Sequence, residues 1–274
     1  IQKMATQLIL AKEDSLFTYL KKVWDYRYLV IVLASRELKV KYAQSKFGVL
    51  WSALQPLAGM LVFTLFFDKL IKIKGMHSPY PLFAFSGMLG WNYFSFILNG
   101  ASTSLIQNQS LIQKIYFPKF ILPLSKVLVG LIEFLISLAV MLVLMLVFSH
   151  PLSWTIVFLP IVIILNILVG LCITIWINAL TVRNRDLHHI VPYMINFSIW
   201  LTPVFYPGSI IPERYFWLTY LNPMAGVLDG YRYVLLGEAC PSIHYSYIFL
   251  FMLFLFVSGL MYFKKVERYV AELI

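Results

Sequence analysis

The chain has 274 residues, of which 61% are hydrophobic and only 12% charged, and its net charge is +10. Globular proteins are roughly 45–50% apolar and about 25% charged, so a soluble protein of this length could not cover its surface with so few charges. The composition indicates an integral membrane protein, and it argues against both a cytoplasmic enzyme and a nucleic-acid reading of the positive charge.

Residues 1–3 precede Met4, a candidate natural start. The first 28 residues are mixed and polar, without the apolar stretch of a secretory signal. Ser15 can cap a helix start. Leu16, Leu20 and Val23 or Trp24 then recur at helical spacing, with Lys21, Lys22 and Arg27 elsewhere on the circumference. Glu37 and Lys41 stand four apart with the acid first, the favourable order for a helical pair worth about 0.2–0.5 kcal/mol. Residues 1–46 are expected to form a cytoplasmic amphipathic region lying along the inner membrane surface. A basic topology anchor is the plainer reading, and the two are compatible.

A helix needs about 20 mostly apolar residues to cross a hydrocarbon core of roughly 30 Å. Lipid offers the backbone no partners, so each crossing is helical or part of a closed barrel. Long apolar runs, rather than short alternating segments, select helices. Six runs qualify: 48–67, 81–104, 124–148 with one acid at Glu133, 152–180, 190–206 with Pro192 and Pro203, and 243–263 closed by Lys264 and Lys265. The expected fold is an all-α integral membrane protein with six transmembrane helices over 47–264 and a cytoplasmic tail, 265–274.

Two connections are more than loops. Residues 108–123 are amphipathic, bounded by Pro118 and Pro123, and predict a short helix over about 107–123. Its Leu111, Ile112, Ile115 and Phe117 offer more apolar area than a loop needs, which points to a protein partner; a helix tucked against the bilayer is the alternative. The stretch 215–228 is too short to span and is broken by Asn222-Pro223. It predicts a re-entrant or interfacial hairpin within about 208–237.

The Lys and Arg residues set the orientation. They crowd residues 1–46, the 108–126 connection, Arg183 and Arg185, and the tail, whereas the opposite side holds Lys69, Lys72, Lys74, Arg214 and Arg232. Positive charge stays cytoplasmic, so both termini are expected inside.

The chemistry is sparse. No Gly precedes a Lys-Ser or Lys-Thr as in a phosphate-binding loop, and neither a Gly-x-Ser-x-Gly elbow nor a His-Glu-x-x-His helix occurs. His188-His189 cannot share a helix face, and Cys172 and Cys240 give neither a disulfide framework nor a metal pair. Glu133, the one acid inside a span, is either a proton site or a partner within the bundle. Aromatic residues, at 17%, are abundant. Trp91, Tyr93, Phe94, Phe197, Trp200, Phe205 and Tyr206 gather near the outer halves of the second and fifth spans, where rings can stack on the C–H faces of sugars. An aromatic belt plus core packing is the plainer account.

These residues resemble a known family. Arg36-Glu37-Leu38-Lys39-Val40-Lys41-Tyr42, then Phe47-Gly48-Val49-Leu50-Trp51 and Pro56, is similar to the lead-in of the permease subunits of ABC-type polysaccharide exporters, which carry O-antigen, capsular polysaccharide or teichoic acid. The family commonly has Asp at Glu37, Arg at Lys41 and Leu at Phe47. Asn108, Leu111-Ile112, Lys114, Phe117-Pro118 and Leu122-Pro123 continue the likeness. Arg185-Asp186-Leu187, Thr202-Pro203-Val204-Phe205-Tyr206-Pro207 and Asn222-Pro223 follow in order.

The resemblance implies a half-transporter in the bacterial inner (plasma) membrane: two copies of this chain with two copies of a separate ABC ATPase, which binds ATP and magnesium. This chain would carry no catalytic or metal site, and its cargo would be lipid-linked polysaccharide. Leu111, Ile112, Lys114, Ile115 and Phe117 would couple to the ATPase. Arg36, Lys39, Lys41, Phe47 and Gly48 would form the cytoplasmic gate for an anionic lipid head. Trp51, Trp91, Tyr93, Phe94, Phe197, Trp200, Phe205 and Tyr206 would line the channel, and Tyr215, Trp217, Tyr220, Asn222 and Pro223 the outer gate. Membrane lipid is a partner and nucleic acid is not. A drug or small-lipid exporter shares the six-span plan. A proton-coupled flippase would need no ATPase and would depend on Glu133. A membrane glycosyltransferase would need acidic clusters where only scattered acids stand.

Overall fold

A computed structural model describes residues 15–43, 48–70, 78–181 and 187–273, and every regular element among them is helical. The helices are α1 (Leu16–Asp25), α2 (Arg27–Tyr42), α3 (Trp51–Phe63), α4 (Tyr80–Gln107), α5 (Gln109–Lys114), α6 (Ile121–Val147), α7 (Leu159–Thr181), α8 (Leu187–Leu201), α9 (Trp217–Leu221), α10 (Pro223–Leu236) and α11 (Tyr245–Leu273). A π-helical segment, Thr64–Leu70, prolongs α3, and a 3-10 turn, Trp154–Phe158, leads into α7. Phe47 and the Arg185-Asp186 pair lie outside the described residues.

Among the described residues, four stretches are long and apolar enough to cross a membrane: Trp51–Asp68, Ile121–Val147, Trp154–Thr181 and Tyr245–Glu267. These are the first, third, fourth and sixth predicted spans. The second, α4, has the length, at 28 residues, but it carries Ser86, Asn92, Ser95, Asn99, Ser102 and Ser104. The bundle explains that polarity: α4 packs against α6, α7, α10 and α3, so much of its circumference never meets lipid. The fifth, α8, has 15 residues, about 22 Å at 1.5 Å per residue, short of the roughly 30 Å core. It stops at Leu201, not at Tyr206, because Pro203 cannot supply the N–H that a continuing helix needs.

Close helix approach depends on glycine. A Cβ on Gly90 would stand 2.7 Å from the Tyr231 ring of α10. There Asn166 of α7 donates from Nδ2 to the Gly90 carbonyl at 3.0 Å and to the Tyr231 hydroxyl at 3.3 Å. Small residues let backbones meet and polar side chains bond across them, as expected in a membrane bundle. Gly90→Val is therefore expected to cost about 1–3 kcal/mol by overpacking, read as a lower melting temperature of the detergent-purified chain.

The amino-terminal helices depart from the expected pattern. Ser15 does cap α1, accepting from the Thr18 N–H at 3.2 Å. The helix buries Tyr19 and Val23 and leaves Leu20 and Trp24 exposed, because the Tyr19 hydroxyl reaches inward to Glu267 of α11 at 2.6 Å. α2 has no segregated apolar face. It lies on α6 and is held there by charge. Lys126 Nζ meets Glu37 at 2.7 Å and Lys41 Nζ meets Glu133 at 2.5 Å. The Glu37–Lys41 pair within α2 gives way to these two inter-helix pairs.

The 208–237 hairpin is asymmetric. Asn222 breaks it, accepting from the Met224 N–H at 3.0 Å, and Pro223 occupies the first turn of α10. α9 is partly exposed, but α10 is core, with Tyr231, Leu228 and Leu235 fully buried. Gly237, at φ +66°, closes α10 with a left-handed cap that takes the Tyr233 carbonyl.

Candidate functional site

The bundle has two chemically distinct ends. At one end stand α1, α2, α5 and the final turns of α11. Glu267 of α11 ties α1 to the segment that leads into α6, accepting from the Tyr19 hydroxyl and from the Lys119 N–H at 3.3 Å. Burial, reinforced by the Glu267 carboxylate, holds the Tyr19 phenol well above its ordinary pKa, so it remains a donor.

The 107–123 segment sits at this end, divided rather than continuous. Asn108, at φ −113°, separates α4 from α5, and Ile115 is already extended. Pro118 disfavours helix for the residue before it. Pro123 does not end a helix; it lies in the first turn of α6, where a missing N–H costs little. The five predicted coupling residues therefore separate. Ile112 and Phe117 are buried anchors, Leu111 is half-buried, and Lys114 and Ile115 face outward. The outward surface is completed by Tyr116, 79% exposed, with the Lys119 ammonium 5.1 Å from its ring. The sequence reading passes over Tyr116, which faces outward with Ile115 in the non-helical stretch after α5 while the next residue, Phe117, is buried.

The residues expected at a cytoplasmic gate diverge as well. Arg36 and Lys39 are exposed on α2, whereas Lys41 is engaged by Glu133, which also accepts from the Tyr42 hydroxyl at 2.8 Å. Glu133 is thus paired within the bundle. Gly48 adopts φ +50° immediately before α3, a turn that any residue with a Cβ adopts at a cost. The Glu37–Lys126 pair is the better shielded of the two (side-chain exposures 30% and 9%, against 17% for Glu133 and 43% for Lys41). A double-mutant cycle on Glu37 and Lys126 is expected to give a coupling of about 1 kcal/mol or more, and the Lys41–Glu133 cycle less, because solvent screens it. Thermal unfolding in detergent measures both.

At the other end, an apolar cavity of about 680 Å³ opens between α4, α7, α8 and the 208–223 stretch. It gathers many of the predicted aromatics. Trp91, Phe94, Trp200 and Tyr206 line it, together with Tyr215, Asn222 and Pro223. Four others stand elsewhere. Tyr93 turns to the far side of α4, its hydroxyl donating to the Val127 carbonyl at 3.3 Å. Phe205 is buried against Phe63, with ring centroids 3.4 Å apart. Trp51 and Phe197 are exposed on the outer faces of α3 and α8. Of the other gate residues, Trp217 is exposed and Tyr220 packs on His244 and Tyr245, with centroids 5.0 and 5.2 Å away.

The wall of this cavity depends on a residue that the sequence marks only as an outer-side charge. Arg232, 3% exposed, donates from Nη2 to the carbonyls of Pro203 and Val204 at 2.7 and 2.8 Å. Its guanidinium lies 3.8 Å from the centre of the Phe83 ring. Tyr80 donates to the Phe205 carbonyl at 2.9 Å, and Asn222 Nδ2 to the Thr202 hydroxyl at 2.9 Å. Together they fix the turn that ends α8. The sequence signal was present: an arginine inside an apolar helix, five residues before its glycine cap.

A second cavity, about 520 Å³, lies between α2, α3, α4 and α6. Its lining is polar, with Asn92, Asn99, Thr103 and Gln55 beside both ion pairs.

Comparison with known sequences agrees with this architecture. Residues 28–236 match the ABC-2 type transporter family. The chain is 34% identical to the O-antigen export system permease protein RfbA of Myxococcus xanthus, over 81% of its own length and 85% of that protein. It is 28% identical to the protein of the same name from Klebsiella pneumoniae, covering 90% and 95% respectively. Against the polysialic acid transport protein KpsM of Escherichia coli the identity is 23%, with 87% and 93% covered.

Proposed function

This chain belongs to the ABC-2 type transporter family, and from that premise we propose that it is the permease subunit of an ATP-driven polysaccharide exporter. Two copies of the chain form the conduit, and two copies of a separate ATPase, which bind ATP and magnesium, drive it. The cargo is lipid-linked polysaccharide, moved outward across the bacterial inner membrane. α4, and α8 together with the 202–206 turn that follows it, complete six crossings, with both termini and α5 in the cytoplasm, as the distribution of Lys and Arg favours. α9 and α10 stand at the outer gate.

One observation carries the reading at residue level. Ile112 and Phe117 anchor the α5 segment in the bundle while Lys114, Ile115 and Tyr116 face outward. That is the form of a rigid surface which can pass a push from a partner into α4 and α6. ATP binding closes the ATPase pair, α5 is displaced, and the conduit opens. Sugar rings then slide past Trp91, Trp200 and Tyr206, while Arg36 and Lys39 steer the anionic head at about 1 kcal/mol each.

Co-expression with the neighbouring ATPase gene tests this. The expected result is an equimolar complex in mild detergent whose ATP hydrolysis depends on both chains. A chain that purifies alone and moves its cargo on a proton gradient would overturn the proposal.

A further inference from the structure

We propose that the second cavity is a hydrated groove that binds the sugar units of the cargo along one face of α4, a proposal that rests on the polysaccharide-exporter reading. Asn92, Ser95, Asn99, Thr103 and Gln107 follow one another at steps of three or four residues, so they form a single stripe. The stripe runs about 22 Å along the helix. Asn92 and Gln107 are exposed and the other three half-exposed, and Gln55 of α3 faces them exposed. Each buried polar group that finds no partner in hydrocarbon costs free energy. Asn99 donates to Ser95, Thr103 to the Asn99 carbonyl, and Gln107 accepts from Lys126, but the exposed Asn92 and Gln55 amides and the remaining lone pairs of the stripe face the groove, which suits water or a hydroxyl-rich occupant. The rest of α4 is treated differently: Asn178 of α7 reaches the Ala101 carbonyl at 3.0 Å, and Asn166 reaches Gly90. On those faces the amide donors are taken up by α4 carbonyls within the protein.

The lining chooses the chemistry. Its charges cancel, since Glu37 pairs with Lys126 and Glu133 with Lys41, so the groove offers an anionic head no net attraction. Neutral amides and hydroxyls match sugar hydroxyls as donors and acceptors.

The test uses the full chain with its ATPase in detergent, in a Cys240→Ser background that keeps only the buried Cys172, with one added cysteine at Asn99, at Ser198 in the aromatic cavity, or at Val143, an exposed apolar site on α6. A negatively charged thiol reagent should label Asn99→Cys at least tenfold faster than Val143→Cys. Delipidated polysaccharide extracted from cells of the encoding strain should slow that labelling at least threefold, and inorganic pyrophosphate should not. Labelling no faster than at Val143 would overturn the hydrated groove. Protection by pyrophosphate alone would replace the sugar with a headgroup. Polysaccharide protecting Ser198→Cys but not Asn99→Cys would overturn the groove and leave the exporter reading standing, whereas protection at neither would count against both.

Discussion

Arg232→Met is expected to destabilise the chain by about 3–5 kcal/mol and to lower the yield of detergent-stable protein. The guanidinium is buried, and its Nη2 satisfies two carbonyls of the turn that ends α8. Its Nη1 stands 3.5 Å from the carboxylate of Asp229, one turn earlier on α10. Methionine fills much of the volume but leaves the carbonyls and the carboxylate without their partner, which is the costly way to break a buried pair. Arg232→Lys should recover part of the loss: a single ammonium restores the charge but cannot present the planar fork to both carbonyls while lying on Phe83. Thermal unfolding of the three proteins in one detergent checks the order. A methionine variant as stable as the parent would show that the turn holds itself.

The second large effect falls at the opposite end. Ile115→Asp combined with Tyr116→Asp should leave the chain folded but reduce capture of the ATPase at least tenfold, with export falling in proportion. Both side chains are exposed, at 54% and 79%, so the substitutions create no cavity, while charge in the centre of an interface is penalised strongly. Phe117→Ala should act differently. That ring is fully buried, and its loss costs about 3–5 kcal/mol of stability, so the folded chain itself becomes scarce. Co-purification normalised to folded permease separates the two. If the double aspartate variant binds the ATPase normally, the contact surface lies elsewhere.

Much of this architecture was legible in the sequence because the signals were local. Four spans were plain as uninterrupted apolar runs, the break at Asn222-Pro223 was set by proline chemistry, and the Ser15 cap by a hydroxyl three residues before an amide. α4 was legible as a helix but not as the centre of the bundle, since its polarity makes sense only when its neighbours are known. What the sequence could not give was rotation and partnership. Whether Leu20 or Tyr19 faces inward depends on Glu267, some 248 residues away, and Glu37 and Lys41 looked like partners of each other until α6 supplied Lys126 and Glu133. The aromatic residues show the same limit. Trp91 and Trp200 meet across one cavity, while Phe205 is drawn into the core by a turn that an arginine from α10 holds.

The two ion pairs between α2 and α6 also set a schedule for assembly. Glu37 and Lys41 are made 89 and 92 residues before their partners. At about 5–20 residues per second of synthesis, α2 waits some 5–18 s, to order of magnitude, before its partners on α6 exist. During that interval the nearest opposite charge to Lys41 on its own helix is Glu37, so the pairing suggested by the sequence serves the nascent chain. The finished protein exchanges it.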